Sequence, residues 1–188
     1  MPFPYPVFLD LAGVRVLLVG GGAVACRKAG SLADAGAMIT VVAPAVLAEL
    51  EAMAADVHRR PYVAGEVAAY QLVITATDDV AVNAQVAADA RAAGVWVNSA
   101  DDPSNCTFIL PAVARRGLVT VAVSTGGASP ALAGHLRSQI ADEVLTPAVE
   151  AAAVDLARQR AVIHEAGGST ESVEWAARVR AALAGEVD

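Results

Sequence analysis

A glycine turn near the N-terminus has the residue types and spacing that bind a dinucleotide. Gly20, Gly21 and Gly22 follow a strand pattern at 14–19 and precede a helical pattern, and Ala25 takes the third small position of a GxGxxG/A fingerprint. Gly20 permits the tight bend, Gly22 lets backbone approach a pyrophosphate, and Ala25 lets helix and strand pack closely. The first N–H groups of the helix and its dipole then hold the anion. We expect nucleotide binding here; the alternative is a turn with a purely structural role.

The end of the second predicted strand, at 38–42, lacks the acidic residue that often binds the ribose hydroxyls of NAD. It reads Ala43-Pro44-Ala45 instead, and no arginine stands there for the 2′-phosphate of NADP. This segment therefore leaves the choice between NAD and NADP open.

Three polar clusters follow predicted strands and are candidates for the rest of the site. Ligands of an open parallel sheet bind beyond the carboxyl ends of its strands, so such clusters are expected to converge on one crevice. The alternative is a role in loops and helix caps, which we expect for Asp78 and Asp79, whereas both roles stay open for Asp101. The clusters are Thr75-Ala76-Thr77-Asp78-Asp79, Asn98-Ser99-Ala100-Asp101-Asp102-Pro103 and Ser124-Thr125-Gly126-Gly127.

Alternating strand and helix patterns position these clusters in the first half of the chain. The predicted strands are continuous apolar runs, so helices are expected on both faces of the sheet. Pro61 restricts the third strand to an end or an edge. The expected fold class is α/β, a Rossmann-like doubly wound parallel sheet. Strands are predicted at 14–19, 38–42, 57–63, 71–76 and 95–98, and helices at 23–35, 45–55 and 80–93.

The pattern changes after Asn98, where a hairpin and helices replace the alternation. Apolar segments at 108–113 and 118–123 are separated by Arg115-Arg116-Gly117, which is typical of an antiparallel hairpin. Ser129 and Pro130 make a good N-cap and first residue for a helix to about residue 144. Two more helices are expected, from Pro147 to about residue 165 and over 171–184.

Composition and charge exclude several classes of protein. The chain is 56% hydrophobic and 18% charged, which excludes disorder, and its net charge of −7 argues against a nucleic-acid partner. Cys26 and Cys106 form no disulfide framework or CxxC motif, so a reducing compartment is expected. No signal-peptide pattern opens the chain, and no apolar run is long enough for a membrane span. We expect a cytoplasmic protein with no membrane partner.

In order and spacing, these motifs resemble the siroheme-synthase dehydrogenase family, the precorrin-2 dehydrogenase and sirohydrochlorin ferrochelatase proteins. The block that reads STGGxSPAL, after a Phe-x-x-Pro-Ala strand, is the most specific part of the resemblance. The matching residues are Pro6-Val7-Phe8-Leu9-Asp10-Leu11, Gly20-Gly21-Gly22-Ala23-Val24-Ala25-Cys26-Arg27-Lys28, Ala76-Thr77-Asp78-Asp79, Val97-Asn98, Asp101-Asp102-Pro103, Phe108-Ile109-Leu110-Pro111-Ala112 and Val123-Ser124-Thr125-Gly126-Gly127-Ala128-Ser129-Pro130-Ala131-Leu132.

The resemblance implies an activity, an assembly and a division into domains. The reaction is the NAD-dependent oxidation of precorrin-2 to sirohydrochlorin, which precedes iron insertion into siroheme. The assembly is a homodimer. The domains would be an NAD-binding Rossmann-like domain over 1–112, a dimerisation region over 113–146 and a small helical C-terminal domain over 147–188. Because the family includes members with and without chelatase activity, Fe²⁺ insertion stays open.

The resemblance also implies roles for individual residues. Asp101 takes the catalytic position. The cofactor-binding residues would be Gly20, Gly22, Ala23, Val24, Pro44, Ala45 and Thr77, and the substrate-binding residues would be Asn98, Ser124, Thr125, Gly126 and Arg137. Some family members carry a serine that can be phosphorylated where this chain has Thr125, so regulation at that position is in doubt.

The implied chemistry removes a hydride and a proton from the substrate. The nicotinamide takes the hydride, and a carboxylate at the crevice takes the proton; we expect Asp101 in this role. Asp102 would raise the proton affinity of Asp101 if the two charges were close. The alternative is that Asp102 and Pro103 shape a turn. An acidic protein must hold a carboxylate-rich tetrapyrrole with local cations and helix N-termini. Arg115, Arg116 and Arg137 are candidates, with a solvated hairpin tip and helix face as their alternative.

Two further questions concern metal and function class. His58, His135 and His164 lie in no ligand motif, and only His135 is near the presumed site, where a packed or solvated side chain is the alternative. A non-catalytic nucleotide-sensing module is the alternative function, but it gives no reason for Asp101 or the STGG block. A methyltransferase is not expected, because no further domain follows the helical tail.

Overall fold

The computed structural model describes residues 5–185 and divides the chain into two units, Met1–Leu110 and Pro111–Asp188. The expected absence of a signal peptide concerns residues that lie partly outside this range, as does the end of the predicted C-terminal domain. The three-part division that the sequence predicts stays a prediction. Within residues 5–185, no helix is both long and apolar enough to cross a membrane.

The first unit is built on a five-stranded sheet in which every neighbouring pair is parallel. The strands are β1 (Arg15–Val19), β2 (Met38–Val42), β3 (Asp56–His58), β4 (Leu72–Thr75) and β5 (Trp96–Ser99). Their order in the sheet is β3-β2-β1-β4-β5. The chain therefore runs from the central strand β1 to the β3 edge and then crosses back to add β4 and β5 on the other side of β1. The carboxyl ends of β1 and β4 therefore form a topological switch point, where ligands of such sheets bind.

Helices cover both faces of this sheet, which confirms the doubly wound, Rossmann-like prediction. They are α1 (Ala23–Asp34), α2 (Ala48–Glu51) and α3 (Val80–Ala93), with a 3-10 turn at Glu66–Ala69. Val16 and Leu18 of β1 pack on the α1 side, while Leu17 and Val19 pack on the α3 side. This alternation follows from the pleat of a strand, whose successive side chains point to opposite faces.

Helix α3 begins and ends on the signals that the sequence carries. Asp79 is its N-cap, and its carboxylate accepts the N–H groups of Ala81 and Val82 at 2.9 and 3.2 Å. Gly94 ends the helix with a left-handed φ of 69°. The capping role predicted for Asp79 is confirmed.

The predicted helix at 45–55 is wrong over most of its length, because only Ala48–Glu51 is helical. The Leu47 N–H donates to the Gly21 carbonyl at 3.0 Å, so the residues before α2 are held by the glycine turn. At the other end, the Ala55 N–H donates to the Ile39 carbonyl at 2.8 Å. The next residue starts β3, which is three residues long and lies at the sheet edge. Tertiary contacts override helix propensity on both sides.

The second unit begins with an antiparallel hairpin of β6 (Ala112–Arg116) and β7 (Val119–Val123). The hairpin is confirmed, but its turn is not Arg115-Arg116-Gly117 as predicted. Arg115 pairs with Thr120 and Arg116 with Val119, which leaves the turn to Gly117 and Leu118. Gly117 has a φ of 52°, a conformation that glycine adopts without strain.

Three helices complete the second unit: α4 (Pro130–Gln139), α5 (Pro147–Glu165) and α6 (Trp175–Ala184). Helix α5 matches its prediction. Helix α4 ends earlier than predicted, because Ile140–Val144 is π-helical and the Ile140 carbonyl accepts the Leu145 N–H. Helix α6 starts four residues later than predicted, because the Trp175 indole N–H donates to the Thr170 carbonyl at 2.9 Å and holds the preceding segment as a loop.

Candidate active site

The glycine turn is wedged between the segments that follow β2 and β4. Gly20 has a φ of 128°, and a Cβ added there would lie 2.3 Å from the carbonyl oxygen of Ala76. A Cβ at Gly21 would lie 1.8 Å from the carbonyl oxygen of Ala45. No side chain fits at either position, so both glycines are required for the backbone to close at the switch point.

Gly22 differs from the other two glycines because it faces open space. It is the N-cap of the 12-residue helix α1, and a Cβ added there would meet no heavy atom within 4 Å. No side chain caps the helix, and its first turn holds no acidic residue. The first N–H groups of the helix, at Ala23 and Val24, lack an internal acceptor by helix geometry. The turn thus fits the pyrophosphate of a dinucleotide.

The predicted cofactor-binding residues after β2 and β4, which are Pro44, Ala45 and Thr77, follow strands next to this turn. Pro44 and Ala45 are exposed, and the Ala45 carbonyl lies next to Gly21. The Thr77 backbone nitrogen would be 3.4 Å from a Cβ at Gly20. The Thr77 hydroxyl is used locally, because it donates to Asn83 Oδ1 at 2.9 Å and accepts the Asp79 N–H at 3.2 Å. Thr77 therefore anchors the start of α3 beside the turn.

Asp101 lies in the loop after β5, the strand that pairs with β4. Its carboxylate is exposed, and its φ of 59° makes it the only non-glycine residue among those described with a positive φ. A strained backbone of this kind is often found at functional sites. The loop is held in place by the Thr107 N–H, which donates to the Val97 carbonyl at 2.8 Å.

Asp102 shapes the loop. Its carboxylate accepts the Ser104 hydroxyl at 2.6 Å and the Asn105 amide at 2.7 Å. These two hydrogen bonds lower the pKa of Asp102. The turn-forming alternative for Asp102 and Pro103 is therefore the one that these contacts favour.

Asn98 is buried, with 6% of its surface exposed, and its amide is used inside the protein. Its Oδ1 accepts the Lys28 ammonium at 3.1 Å, and its Nδ2 donates to the Phe108 carbonyl at 3.1 Å. Burial lowers the pKa of Lys28, while the negative charge of Asp101 acts in the opposite direction. Lys28, Asn98 and the Asp101 loop therefore form one polar cluster at the end of β5.

Ser99 lies next to this cluster. Its hydroxyl oxygen is buried and has no hydrogen-bond partner in the part of the chain that the structure describes. Its backbone N–H donates to Cys106 Sγ at 3.2 Å, and the Cys106 thiol lies 3.3 Å from the Asp102 carbonyl oxygen. Cys106 thus bridges both ends of the loop that carries Asp101.

The third predicted cluster follows β7, which belongs to the hairpin and not to the parallel sheet. The strand-end argument therefore does not apply to it. Ser124 Oγ accepts the Gly126 N–H at 3.1 Å, and the Thr125 hydroxyl accepts the Ser129 N–H at 3.0 Å. Ser129 in turn caps α4 through the Leu132 N–H at 3.2 Å. These side chains build the turn that starts α4.

The candidate cations of the second unit differ in their environment. Arg116 donates to Glu150 Oε2 at 3.0 Å and to the Leu145 carbonyl at 3.1 Å, so its guanidinium is used within the unit. Arg115, on the hairpin, and Arg137, on α4, are exposed, as is His135. Within residues 5–185, no group of three or more His, Cys, Asp or Glu residues is placed to hold a metal ion.

Sequence reasoning missed Lys28 and Cys106. Lys28 is the only lysine of the chain and lies between Ala25 and Ala29, two residues of the buried face of α1. That placement on the helix is a local signal that it is partly buried. Cys106 carries no such signal, because its contacts depend on the path of the loop.

Two family models match the chain. The model described as putative NAD(P)-binding matches residues 7–112, more than half of the 188 residues, and the sirohaem biosynthesis protein central model matches residues 116–143. The siroheme synthase of Pseudomonas putida (strain W619) is 50% identical over 139 residues, 72% of this chain and 30% of that protein. The siroheme synthase of Azotobacter vinelandii is 45% identical over 158 residues, 82% of this chain and 34% of that protein.

A solved structure resembles nearly the whole chain. SirC, a precorrin-2 dehydrogenase, matches 98% of this chain and 90% of its own, with a TM-score of 0.72 and 29% sequence identity. By contrast, the chain spans about a third of the length of the curated siroheme synthases it matches. The predicted resemblance is confirmed: the chain belongs to the NAD(P)-binding family of sirohaem biosynthesis proteins, the siroheme-synthase dehydrogenase family.

Proposed function

We propose that this chain catalyses the NAD-dependent oxidation of precorrin-2 to sirohydrochlorin. The observation that carries the proposal is the likeness of 98% of the chain to the precorrin-2 dehydrogenase SirC. The site supports it, since an open glycine turn at the start of α1 and an exposed carboxylate after β5 belong to the same sheet. The overall change is precorrin-2 plus NAD⁺ to sirohydrochlorin, NADH and a proton.

Backbone groups would hold the cofactor. The turn from Gly20 to Gly22 and the N–H groups of Ala23 and Val24 would bind the pyrophosphate, and the residues after β2 and β4 would line its sides. When bound, NAD supplies the hydride acceptor. NAD is the cofactor that the resemblance to precorrin-2 dehydrogenases implies. Pro44 and Ala45 offer neither an acidic side chain for the ribose hydroxyls nor a cation for a 2′-phosphate, so backbone groups would bind this part of the cofactor.

Asp101 would take the proton. Its carboxylate is exposed and free to face a substrate, whereas Asp102 is bound to Ser104 and Asn105. A positioned carboxylate that accepts the proton as the hydride leaves contributes about 10²–10⁴-fold to such a step. The hydrogen bonds of Thr107 to Val97 and of Ser99 to Cys106 would hold the loop that carries this group.

Substrate carboxylates would be bound by residues of the second unit. Arg137 is exposed and has the charge for this role, and Ser124, Thr125 and Gly126 form the turn before α4. Arg116 is not assigned to the substrate, because its charge is paired with Glu150 and its Nη1 donates to the Leu145 carbonyl. Removing the charge with Arg137→Gln is expected to raise KM for the tetrapyrrole more than KM for NAD.

The proposal includes a homodimer and a cytoplasmic location. Apolar side chains of the second unit, such as Leu132 and Val162, are 49% and 59% exposed, as expected of a surface that a second copy covers. The two cysteines are free, which fits a reducing compartment.

A spectroscopic assay tests the activity. Precorrin-2 and NAD are added to the full chain, and the spectra of sirohydrochlorin and NADH are followed together. Equal amounts of both products are expected. NAD binding without turnover would overturn the proposal and favour a nucleotide-sensing module.

Asp101→Asn tests the proton acceptor, because it removes the charge and keeps a similar shape. We expect kcat to fall about 10²–10⁴-fold while the Kd for NAD stays within about twofold. Stopped-flow absorbance gives kcat, and isothermal titration gives Kd. Near-normal turnover with an intact assembly would show that Asp101 is not the base.

Fe²⁺ insertion is a second activity suggested by the siroheme synthase names of the relatives. The metal would be a substrate in that step. Incubating sirohydrochlorin with Fe²⁺ or Co²⁺ and timing insertion against a blank without enzyme decides between one activity and two.

A further inference from the structure

Lys28 links the helix of the candidate nucleotide site to the loop that carries Asp101. It lies on α1, and its ammonium donates to Asn98 Oδ1 on β5 at 3.1 Å, although 70 residues separate the two in sequence. A half-buried lysine gives up hydration and side-chain freedom to make such a contact. The contact therefore constrains both elements.

Asn98 carries the connection onward into the loop. It is 6% exposed, and its Nδ2 donates to the Phe108 carbonyl at 3.1 Å and lies 3.6 Å from Cys106 Sγ. Both ends of its amide are thus occupied, one by α1 and the other by the returning end of the loop. Asn98 therefore acts as a bridge between the helix and the loop.

Cys106 fastens the two ends of the loop to each other. Its sulfur accepts the Ser99 N–H at 3.2 Å and lies 3.3 Å from the Asp102 carbonyl oxygen. Between these contacts Asp101 adopts its left-handed backbone, which an aspartate does not prefer. Contacts on both sides are what hold a residue in such a conformation.

The charges around the cluster fit this arrangement. Burial lowers the pKa of Lys28, the negative charge of Asp101 acts in the opposite direction, and the positive charge of Arg27 adds to the lowering. The charge of the loop carboxylate therefore favours the ammonium that holds Asn98.

We propose that Lys28 and Asn98 are positioning residues, which fix the Asp101 loop against helix α1 and so set the carboxylate relative to the bound dinucleotide. This inference rests on the proposed function, since it assigns a geometry to the base of that reaction. It adds two residues that act through Asp101 and need not touch substrate.

Lys28→Met is the first test, made in the full chain. We expect kcat at saturating precorrin-2 and NAD to fall about tenfold, with both KM values and the Kd for NAD within about twofold. Lys28→Arg keeps a donor and is expected to recover most of the loss. Arg15→Met is the matched control, because it removes the same charge from the exposed start of β1, opposite the glycine turn. It should leave kcat unchanged.

Alkylation of Cys106 is the second test and needs no turnover. Iodoacetamide labelling followed by peptide mass spectrometry gives the rates at Cys106 and at Cys26 in the same molecule. Lys28→Met and Asn98→Ala are each expected to raise the Cys106 rate about fivefold relative to Cys26, because the loop loosens. The double variant should be no faster than the faster single one, since both remove the same connection.

The outcomes separate the two proposals. If the unaltered chain does not oxidise precorrin-2, the proposed function fails. The labelling rates alone then test whether Lys28 and Asn98 hold the Asp101 loop against α1. If the unaltered chain turns over but Lys28→Met behaves like Arg15→Met, the positioning role is overturned and the function stands. A rise in KM for the tetrapyrrole alone would also overturn it, because Lys28 would then bind substrate. If Asn98→Ala does not fold, the two Lys28 variants decide.

Discussion

The two units of this chain use their apolar residues differently. In the first unit, large side chains such as Leu17, Ile39 and Ile74 are buried in two layers on either side of the sheet. In the second unit, the buried apolar side chains among the residues described are mostly alanine. They are Ala114, Ala133, Leu145, Ala152 and Ala182, whereas Leu118, Leu132, Val144, Val154, Val162 and Leu183 are exposed.

This difference shows where each unit obtains its stability. Burying leucine, isoleucine and valine contributes far more than burying alanine, so the first unit is stabilised by its own core. The second unit keeps much of its large apolar surface uncovered in the single chain. A second copy that covers this surface would supply the missing burial, which supports the homodimer part of the proposal.

Truncating one side chain in each unit gives the largest expected contrast. Ile74→Ala in β4, where the side chain is 1% exposed, should lower the free energy of unfolding by about 2–5 kcal/mol. Leu132→Ala on α4, where 49% is exposed, should change it by less than about 0.5 kcal/mol in the single-copy state. Urea unfolding at low protein concentration measures both. Equal losses would contradict the comparison.

The same leucine also tests what covers the second unit. Leu132→Asp is expected to raise the Kd of the dimer at least about tenfold, because a charge would be buried in an apolar contact. Sedimentation equilibrium measures this Kd, with Arg15→Met as a control that changes charge in the other unit. A dimer Kd that does not respond would place the contact elsewhere.

Glycine substitutions extend the contrast to the backbone, with intermediate effects. Gly21→Ala puts a Cβ 1.8 Å from a backbone oxygen and should destabilise the first unit by about 1–3 kcal/mol. Gly126→Ala has space but keeps a φ of 63°, and should cost about 1 kcal/mol. Gly22→Ala has space and an ordinary φ, so we expect normal stability but NAD binding weakened about tenfold. Thermal melts and calorimetric titration separate these results.

Acid sensitivity gives the smallest expected effect, and it lies in the first unit. Asp89 on α3 accepts the Gly65 N–H at 2.8 Å and the Tyr62 hydroxyl at 2.7 Å, and these bonds lower its pKa below the usual 3.8. Stability from a lowered carboxyl pKa is fully present above the usual value and is lost as pH falls through the folded one. The Asp89→Asn variant should therefore have a lower Tm than the unaltered chain at pH 7, and its Tm should fall less between pH 4 and about 2. Parallel curves of Tm against pH for the two proteins would contradict this.

The sequence predicts elements well where their signals are local. Helix α3 carries its own cap and its own terminal glycine, and α5 begins at Pro147, so their bounds agree with the pattern. Strands β1, β2 and β4 are mainly apolar runs, and their place in the fold follows from the alternation with helices. The glycine turn is recognised for the same reason, because its residues and its flanking elements are contiguous. The strand predicted at 57–63 is wrong over most of its length, because β3 ends at His58.

What the sequence does not predict depends on contacts distant along the chain. The helix before β3 is short because Leu47 bonds to Gly21 and Ala55 to Ile39. The pairing of Lys28 with Asn98 joins residues 70 positions apart, and no periodicity indicates it. The resemblance implies a substrate contact for Asn98, whereas its burial and its bonds to Lys28 and Phe108 suit a bridge.

The left-handed backbone of Asp101 restricts which amino acids this position can hold in any variant library. Glycine and asparagine tolerate that conformation, whereas β-branched residues do not. A selection for cellular abundance of the protein should therefore enrich glycine and asparagine at position 101 alongside aspartate. A selection for siroheme-dependent growth should keep aspartate alone. The difference between these two enrichment profiles would show how many of the amino acids that the backbone allows at position 101 are excluded by the reaction.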